Sequence, residues 1–157
     1  MIKNRLVFAL LLACGTGVLI AGSTADLAAH GGATGIVKDR MVRMKAMQEK
    51  IKPLEQALKE KAELDLAQLR KAAAAIAEQS EALPTLFPPG SNHKPSEALP
   101  AIWETWADFE ERFDLLAQKA EALEAAIDSG DVAKTMAAYK AVTEACHACH
   151  ILYKSDY

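Results

Sequence analysis

Apolar residues recur at steps of three and four along four stretches of the chain, which is the spacing of one face of an α-helix. The stretches cover about Ile36–Lys61, Ala62–Leu83, Pro100–Ser129 and Asp131–Tyr153. No segment alternates between apolar and polar residues for long enough to indicate a β-strand. The pattern therefore predicts an all-α protein with four long helices.

The residues between these stretches predict how the helices are joined. Four of the six prolines lie within Leu83–Leu99, the one long connection, and Pro100 suits the first position of the third helix. Gly130 is suited to end that helix and Asp131 to cap the next, which makes their joint short. Pro53 lies inside the first helix and is expected to kink it. Together these features predict an antiparallel up-and-down four-helix bundle.

The N-terminal segment has the composition of an export signal. Lys3 and Arg5 precede an apolar run, Leu6–Ala21, and small residues follow it. This order is typical of a secretory signal peptide, and the run is shorter than a membrane span of ~20 residues. Cleavage is predicted after Ala25, or as late as Ala29.

Two alternatives remain for this segment: acylation of Cys14, as in a lipoprotein, and an uncleaved membrane anchor. The main prediction is a signal peptide at residues 1–25, a flexible segment at 26–35 and a four-helix domain at 36–157. Export predicts a periplasmic protein of a bacterium, without membrane attachment after cleavage.

Composition narrows the function classes. Apolar residues make up 51% of the chain and charged residues 25%, which is sufficient for a packed core. The formal net charge of −3 makes nucleic acid an unsuitable partner. Three cysteines are too few for a disulfide scaffold, and removal of the signal peptide leaves two.

Those two cysteines form the most specific motif, C-x-x-C-H, made by Cys146, Cys149 and His150. This is the attachment pattern of c-type haem, because thiols three residues apart on a helix share a face and the next histidine can reach the iron. Three alternatives are a redox disulfide, a zinc site that includes His147, and two inert core cysteines. The motif and the export signal together favour one covalent haem c.

The motif lies at the C-terminal end of a predicted bundle, and in this the chain resembles the class II c-type cytochromes, the cytochrome c prime family. Further resemblances are Arg40 followed four residues later by Met44, Pro53, the Leu83-Pro84 pair, the Pro89–Asn92 loop, Ala101–Trp103, and Tyr153-Lys154 after the motif. The resemblance implies a haem protein with His150 as the proximal axial ligand. It also implies that Ser91 and Asn92 lie near the haem, although many members carry an acid where this chain has Asn92.

Arg40 occupies a core-facing position on an otherwise apolar face. A buried guanidinium needs a partner, and a haem propionate would supply one through paired hydrogen bonds. The alternative is that Arg40 extends from the end of the bundle into solvent.

The resemblance also implies that Met44 faces the distal side of the iron, where its sulfur is predicted to be the sixth ligand. The alternatives are that Met44 packs there without bonding, or that Met47 is the ligand. Aromatic residues are predicted to fill the haem pocket and the core; they are Trp106, Phe109, Phe113, Tyr139 and Tyr153.

With His150 and Met44 on the two sides of the iron, the main prediction is a one-electron carrier that exchanges electrons with redox partner proteins. The alternative is a five-coordinate haem that binds NO or CO. No catalytic dyad is evident, so an enzyme is not expected. A homodimer is compatible with the sequence.

Overall fold

The computed structural model describes residues 32–60 and 65–155 of the chain. The predicted signal peptide, its predicted cleavage sites and Cys14 therefore lie outside the described residues. Four long helices and one short helix are present: α1 (Gly35–Glu60), α2 (Leu66–Ala82), α3 (Ala101–Glu104), α4 (Trp106–Asp128) and α5 (Val132–Tyr153). A 3-10 turn, Leu83–Leu86, follows α2 directly.

The four long helices form the predicted all-α, antiparallel four-helix bundle. Helix α2 packs along both α1 and α4, and α4 packs along α5. Helix α1 also contacts the 3-10 turn, but within residues 32–60 and 65–155 it does not pack directly on α4 or α5. The packing therefore leaves α1 and α5 apart on one side of the bundle.

The third predicted helix, Pro100–Ser129, is wrong as a single element, because the chain leaves helical geometry at Thr105 (φ −127°, ψ 49°). The Thr105 hydroxyl donates to the Ala101 carbonyl at 2.9 Å, a side-chain bond that competes with continuation of the helix. The Trp103 indole N–H donates to the Phe87 carbonyl at 2.9 Å and ties α3 to the connecting loop. The residues of α3 thus follow the loop rather than the axis of α4.

The joints near the other helix ends agree with the sequence in part. Gly130 has φ +68°, the left-handed conformation that ends a helix, and the Asp131 carboxylate accepts from the Lys134 amide at 3.1 Å as an N-cap. Helix α1 continues through Pro53. Helix α2 starts at Leu66 rather than at the predicted Ala62, because Asp65 caps it through the Gln68 amide. The sequence has no glycine or proline at the start of α2, so a prediction from apolar periodicity alone began the helix too early.

The core combines an aromatic cluster near the connecting loop (residues 87–100) with buried aliphatic side chains. Phe87 meets Phe109 edge to face at 4.9 Å between ring centroids, and Phe109 meets Phe113 at 5.2 Å in the same way. Such pairs contribute about 0.5–1.5 kcal/mol each beyond the area that they bury. The largest fully buried side chains elsewhere are Ile76, Leu83, Ile102, Leu123, Val37 and Val142.

The connecting loop pairs with the end of α5. The Leu99 amide donates to the Tyr153 carbonyl at 3.0 Å, and the Ser155 amide donates to the Glu97 carbonyl at 2.9 Å. An ion pair of 2.8 Å between Lys154 and Glu97 lies beside these bonds. The loop is thereby attached to the last turn of the helix that carries the C-x-x-C-H motif.

A search for membrane-spanning helices in the described part of the chain finds none with sufficient length and apolar character.

We expect Asp131→Ala to lower the free energy of unfolding by about 1 kcal/mol, because it removes the N-cap of α5. Asp131→Asn is the matched control, since asparagine caps helices as well as aspartate does. Chemical unfolding followed by circular dichroism measures both. Equal losses in the two variants would show that the carboxylate charge, rather than the cap, stabilises this end.

Candidate haem-binding site

A cavity of about 660 Å³ fills the space between α1, α4, α5 and the connecting loop. Its volume lies within the range of small-molecule and cofactor sites, roughly 300–1,000 Å³. Most of its lining is apolar. It is the space that the helix packing leaves between α1 and α5.

Helix α5 contributes the whole C-x-x-C-H motif to this cavity: Cys146, Cys149 and His150 all line it. Both cysteines are free thiols. Burial raises the pKa of Cys146, and raises the pKa of Cys149 to about 11. Burial also lowers the pKa of His150, which favours the neutral imidazole, the form that binds a metal.

Methionine side chains line the opposite wall. Met41, Met44 and Met47 follow one another at steps of three on α1, and Ile51 continues the same wall. Met47 is buried, whereas Met41 and Met44 are half-buried. Met41 was missed by the sequence analysis, although its spacing from Met44 could have indicated it.

Arg40 lies at the end of this wall and is only 3% exposed. The alternative in which Arg40 extends into solvent is therefore wrong. The guanidinium lies over the Phe87 ring at 4.7 Å and donates to Ser91 Oγ at 2.9 Å, to the Ser91 carbonyl, to Ser96 Oγ and, at 3.5 Å, to the Leu86 carbonyl. Burial lowers its pKa.

All of these acceptors are neutral, so the described residues provide hydrogen bonds to the charge of Arg40 but no carboxylate. A haem propionate would supply the missing negative charge. Hydroxyls and carbonyls alone do keep the guanidinium solvated, so its burial does not by itself demand a propionate.

The two predicted loop residues differ in their positions. Ser91 is buried and contacts Arg40 but does not itself line the cavity. Asn92 is exposed and does not line the cavity. Ser96, which the sequence analysis missed, lines the cavity and binds Arg40. Nothing in the sequence distinguishes Ser96 from other loop serines, because its role depends on how the loop folds.

A polar network that the sequence analysis also missed lies on the α4 side. Arg112 lines the cavity and donates to both oxygens of Asp108, at 2.7 and 3.2 Å. The Tyr153 hydroxyl donates to Asp108 Oδ2 at 2.5 Å and lies 2.7 Å from Thr105 Oγ1. The hydrogen bonds from Arg112 and Tyr153 lower the pKa of Asp108. The i,i+4 spacing of Asp108 and Arg112 is the only part of this network that the sequence reveals.

The predicted aromatic residues divide between pocket and core. Phe109, Phe113 and Tyr153 line the cavity, and Trp106 packs against Phe109 with ring centroids 5.5 Å apart. Tyr139 is half-buried against the core and does not line the cavity.

The residues present fit a covalent haem. Two thiols and an imidazole at i, i+3 and i+4 face an apolar cavity, with a buried cation, Arg40, at its edge. The zinc alternative finds no support, because no group of three or more His, Cys, Asp and Glu side chains in the described ranges is placed to hold a metal ion. The described part of the chain also contains no strand beyond one isolated bridge between Ala98 and Lys154, which argues against a thioredoxin-like redox motif.

A four-helix bundle with this motif on its last helix defines a class II c-type cytochrome. Residues 35–154 match the family described as Cytochrome C'. The chain belongs to the cytochrome c' family, and its cofactor is covalent haem c.

Individual relatives agree with this assignment. Cytochrome c' of Rhodopseudomonas palustris is 38% identical over 118 residues, covering 74% of this chain and 80% of the relative. Cytochrome c-556 of Agrobacterium fabrum is 32% identical over 122 residues, covering 78% of this chain and 82% of the relative. The solved structure of the Rhodopseudomonas palustris cytochrome c' has a TM-score of 0.73 and 36% identity, covering 79% of this chain and 98% of that one.

A nitric oxide complex of a cytochrome c prime variant from Alcaligenes xylosoxidans is also similar in structure. Its TM-score is 0.67 and its identity 28%, with coverage of 76% of this chain and 93% of that one.

Replacing Arg40 tests whether its charge acts on the haem. We expect Arg40→Leu to lower the reduction potential by the equivalent of about 1 kcal/mol, because a nearby cation disfavours the ferric state. Arg40→Lys is the control, since it keeps the charge but cannot reproduce the forked contacts. Potentiometric titration of the purified protein measures both. A fall of equal size in the two variants would assign the effect to loop packing instead.

The depressed pKa of Asp108 predicts a pH-dependent contribution to stability. A carboxylate whose pKa is lowered by folding stabilises the folded state above its unfolded pKa, and this is lost as pH falls through the folded pKa. We therefore expect Asp108→Asn to be less stable than the unchanged protein at neutral pH, and the difference to begin to shrink below about pH 4, the unfolded pKa, and to be lost as pH falls through the lower folded pKa. Urea midpoints across the pH range measure this. Asp114→Asn, at an exposed site on the same helix, should show no such convergence.

Proposed function

We propose that this protein is an exported periplasmic cytochrome that binds NO or CO at a haem position left free by the protein. Cys146 and Cys149 would form the thioethers to the haem, and His150 would be its proximal axial ligand. The haem supplies an iron that binds small ligands and changes between the ferric and ferrous states. The chain's own residues determine what can approach it.

The observation that carries this proposal is the chemistry of the wall opposite the motif. Within residues 35–60, α1 contributes thioether and hydrocarbon groups, together with Arg40 and the exposed rim residues Lys45 and Gln48, but neither histidine nor carboxylate. Most of this wall is therefore apolar, and it presents no charged acceptor to an incoming ligand. It favours a small neutral ligand.

The similar structures support the same proposal. One is a nitric oxide complex of a variant cytochrome c prime, and another, also from Alcaligenes xylosoxidans, is a ferrous variant with bound NO.

Arg40 has a second role in this proposal. The connecting loop orients its donors through Ser91 and Ser96. A guanidinium held in this way can receive a propionate without losing further side-chain freedom. Arg40 would then orient the haem edge, while α5 holds the haem covalently.

One observation favours a second candidate. Met44 lines the cavity, and its thioether can ligate haem iron and raise the reduction potential. With Met44 bound, the protein would be a one-electron carrier serving redox partner proteins. Met47 is the alternative sulfur ligand of the iron. If neither methionine binds the iron and both only pack beside it, the protein is the gas-binding one. A homodimer stays a prediction for either function.

The spin state of the ferric protein distinguishes the two functions. We expect a five-coordinate, high-spin spectrum and rapid CO binding by the ferrous protein, because the wall opposite His150 provides only weak thioether donors. Absorption and electron paramagnetic resonance spectra, with flash-photolysis kinetics for CO, are the measurements. Met44→Ala should leave the spin state unchanged and alter CO binding only through the extra space.

The contrary result is equally specific. A low-spin ferric spectrum with a sulfur-to-iron charge-transfer band, lost in Met44→Ala and kept in Met47→Ala, would establish the carrier. Loss of the band only in Met47→Ala would identify Met47 as the ligand. Either outcome would overturn the gas-binding proposal.

A further inference from the structure

Tyr153 occupies an unusual position beside the haem-binding motif. It lies four residues after Cys149 on α5, so the two side chains share a face of the helix, and both line the cavity. Its ring is 5% exposed and meets Phe109 edge to face at 5.2 Å. An aromatic ring is therefore held against the haem site and away from bulk water.

The hydroxyl of Tyr153 has a defined proton acceptor. It donates to Asp108 Oδ2 at 2.5 Å, and Arg112 holds both oxygens of that carboxylate. Because the hydrogen bonds of Arg112 and Tyr153 lower the pKa of Asp108, the acceptor is ionised at neutral pH. Thr105 Oγ1 lies 2.7 Å from the phenol oxygen.

Tyr139 provides a comparison on the same helix. It is half-buried and does not line the cavity, and burial and the charge of Glu55 raise its pKa. The place at the haem site thus distinguishes Tyr153 from Tyr139.

We propose that Tyr153 is a redox-active tyrosine that reduces the haem site after the haem has been oxidised by a peroxide. This inference rests on the proposed function, because a peroxide reaches the iron only through a free distal position. With haem held by Cys146, Cys149 and His150, hydrogen peroxide would act as a two-electron oxidant of the site: its O–O bond is cleaved, one oxygen is released as water, and two oxidising equivalents are left with the holoprotein. Tyr153 returns one electron, and its hydroxyl proton passes to Asp108 Oδ2.

The products of this one-electron step are a neutral phenoxyl radical on Tyr153 and a carboxylic acid on Asp108, so its charge and protons balance, and the second oxidising equivalent would remain with the haem. The proton moves along an existing hydrogen bond of 2.5 Å, so no group has to be rearranged. An oxidised phenol is a far stronger acid than a carboxylic acid, which makes the transfer to Asp108 favourable even though Arg112 weakens that carboxylate as a base. Radical formation at Tyr153 would draw oxidation away from the methionines of the opposite wall.

The test mixes the ferric holoprotein with hydrogen peroxide and freezes it within milliseconds to seconds for electron paramagnetic resonance. We expect a tyrosyl radical in the unchanged protein, its loss in Tyr153→Phe, and its retention in Tyr139→Phe. Tyr153→Phe removes only one oxygen, so the ring keeps its contact with Phe109. Asp108→Asn should lower the yield of the radical, because an amide is a poor proton acceptor.

Oxidation products give a second measurement that does not depend on trapping the radical. Peptide mass spectrometry after peroxide treatment should find modified Tyr153 in the unchanged protein, and more methionine sulfoxide at Met44 and Met47 in Tyr153→Phe. A radical that persists in Tyr153→Phe, or one assigned to tryptophan, would overturn the inference.

The absorption spectrum recorded in parallel separates the two proposals. A haem spectrum that changes with peroxide while no tyrosyl radical forms would contradict the role of Tyr153 and leave the free distal position intact. A haem spectrum unchanged by peroxide, in a protein that also fails to bind CO, would contradict both.

Discussion

The structure depends on the gap that its helix packing leaves between α1 and α5. Helix α2 joins α1 to α4, and α4 joins α2 to α5, whereas α1 and α5 face each other across the cavity. A mostly apolar space of this size is costly to leave to water, and apolar cavities in proteins either stay dry or bind an apolar ligand. The haem is a flat and largely hydrophobic group, attached covalently to α5. By filling this space it would complete the hydrophobic core as well as the binding site.

Much of the fold could be predicted because it rests on local chemistry. The three-and-four spacing of apolar residues identified the four long helices, and Gly130 with Asp131 marked the joint before α5. The C-x-x-C-H motif was equally accessible, since its geometry is internal to one helix. The family match covers residues 35–154, which include this motif.

Other features depend on contacts between distant segments, which periodicity does not encode. The interruption at Thr105 follows from a side-chain bond and from the attachment of Trp103 to the loop, whereas the residues around it are good helix formers. Ser96 accepts a hydrogen bond from Arg40 because the loop folds over that residue, and the local sequence around Ser96 does not indicate this contact. Whether Met44 binds the iron depends on a small difference in free energy between a weak ligand and a packed side chain, so neither sequence pattern nor packing decides it.

The pairing between the connecting loop and the end of α5 has a consequence for local stability. The same loop binds Arg40 on α1 through Ser91 and Ser96 and joins residues 153–155 through backbone hydrogen bonds. Opening the loop therefore releases one edge of the site and the last turn of the haem-carrying helix together. Such linked segments exchange their amide hydrogens as one cooperative unit. The two walls of the cavity, which do not pack on each other, would then share a single opening event, and access to the site would be set by the stability of a loop rather than of a helix.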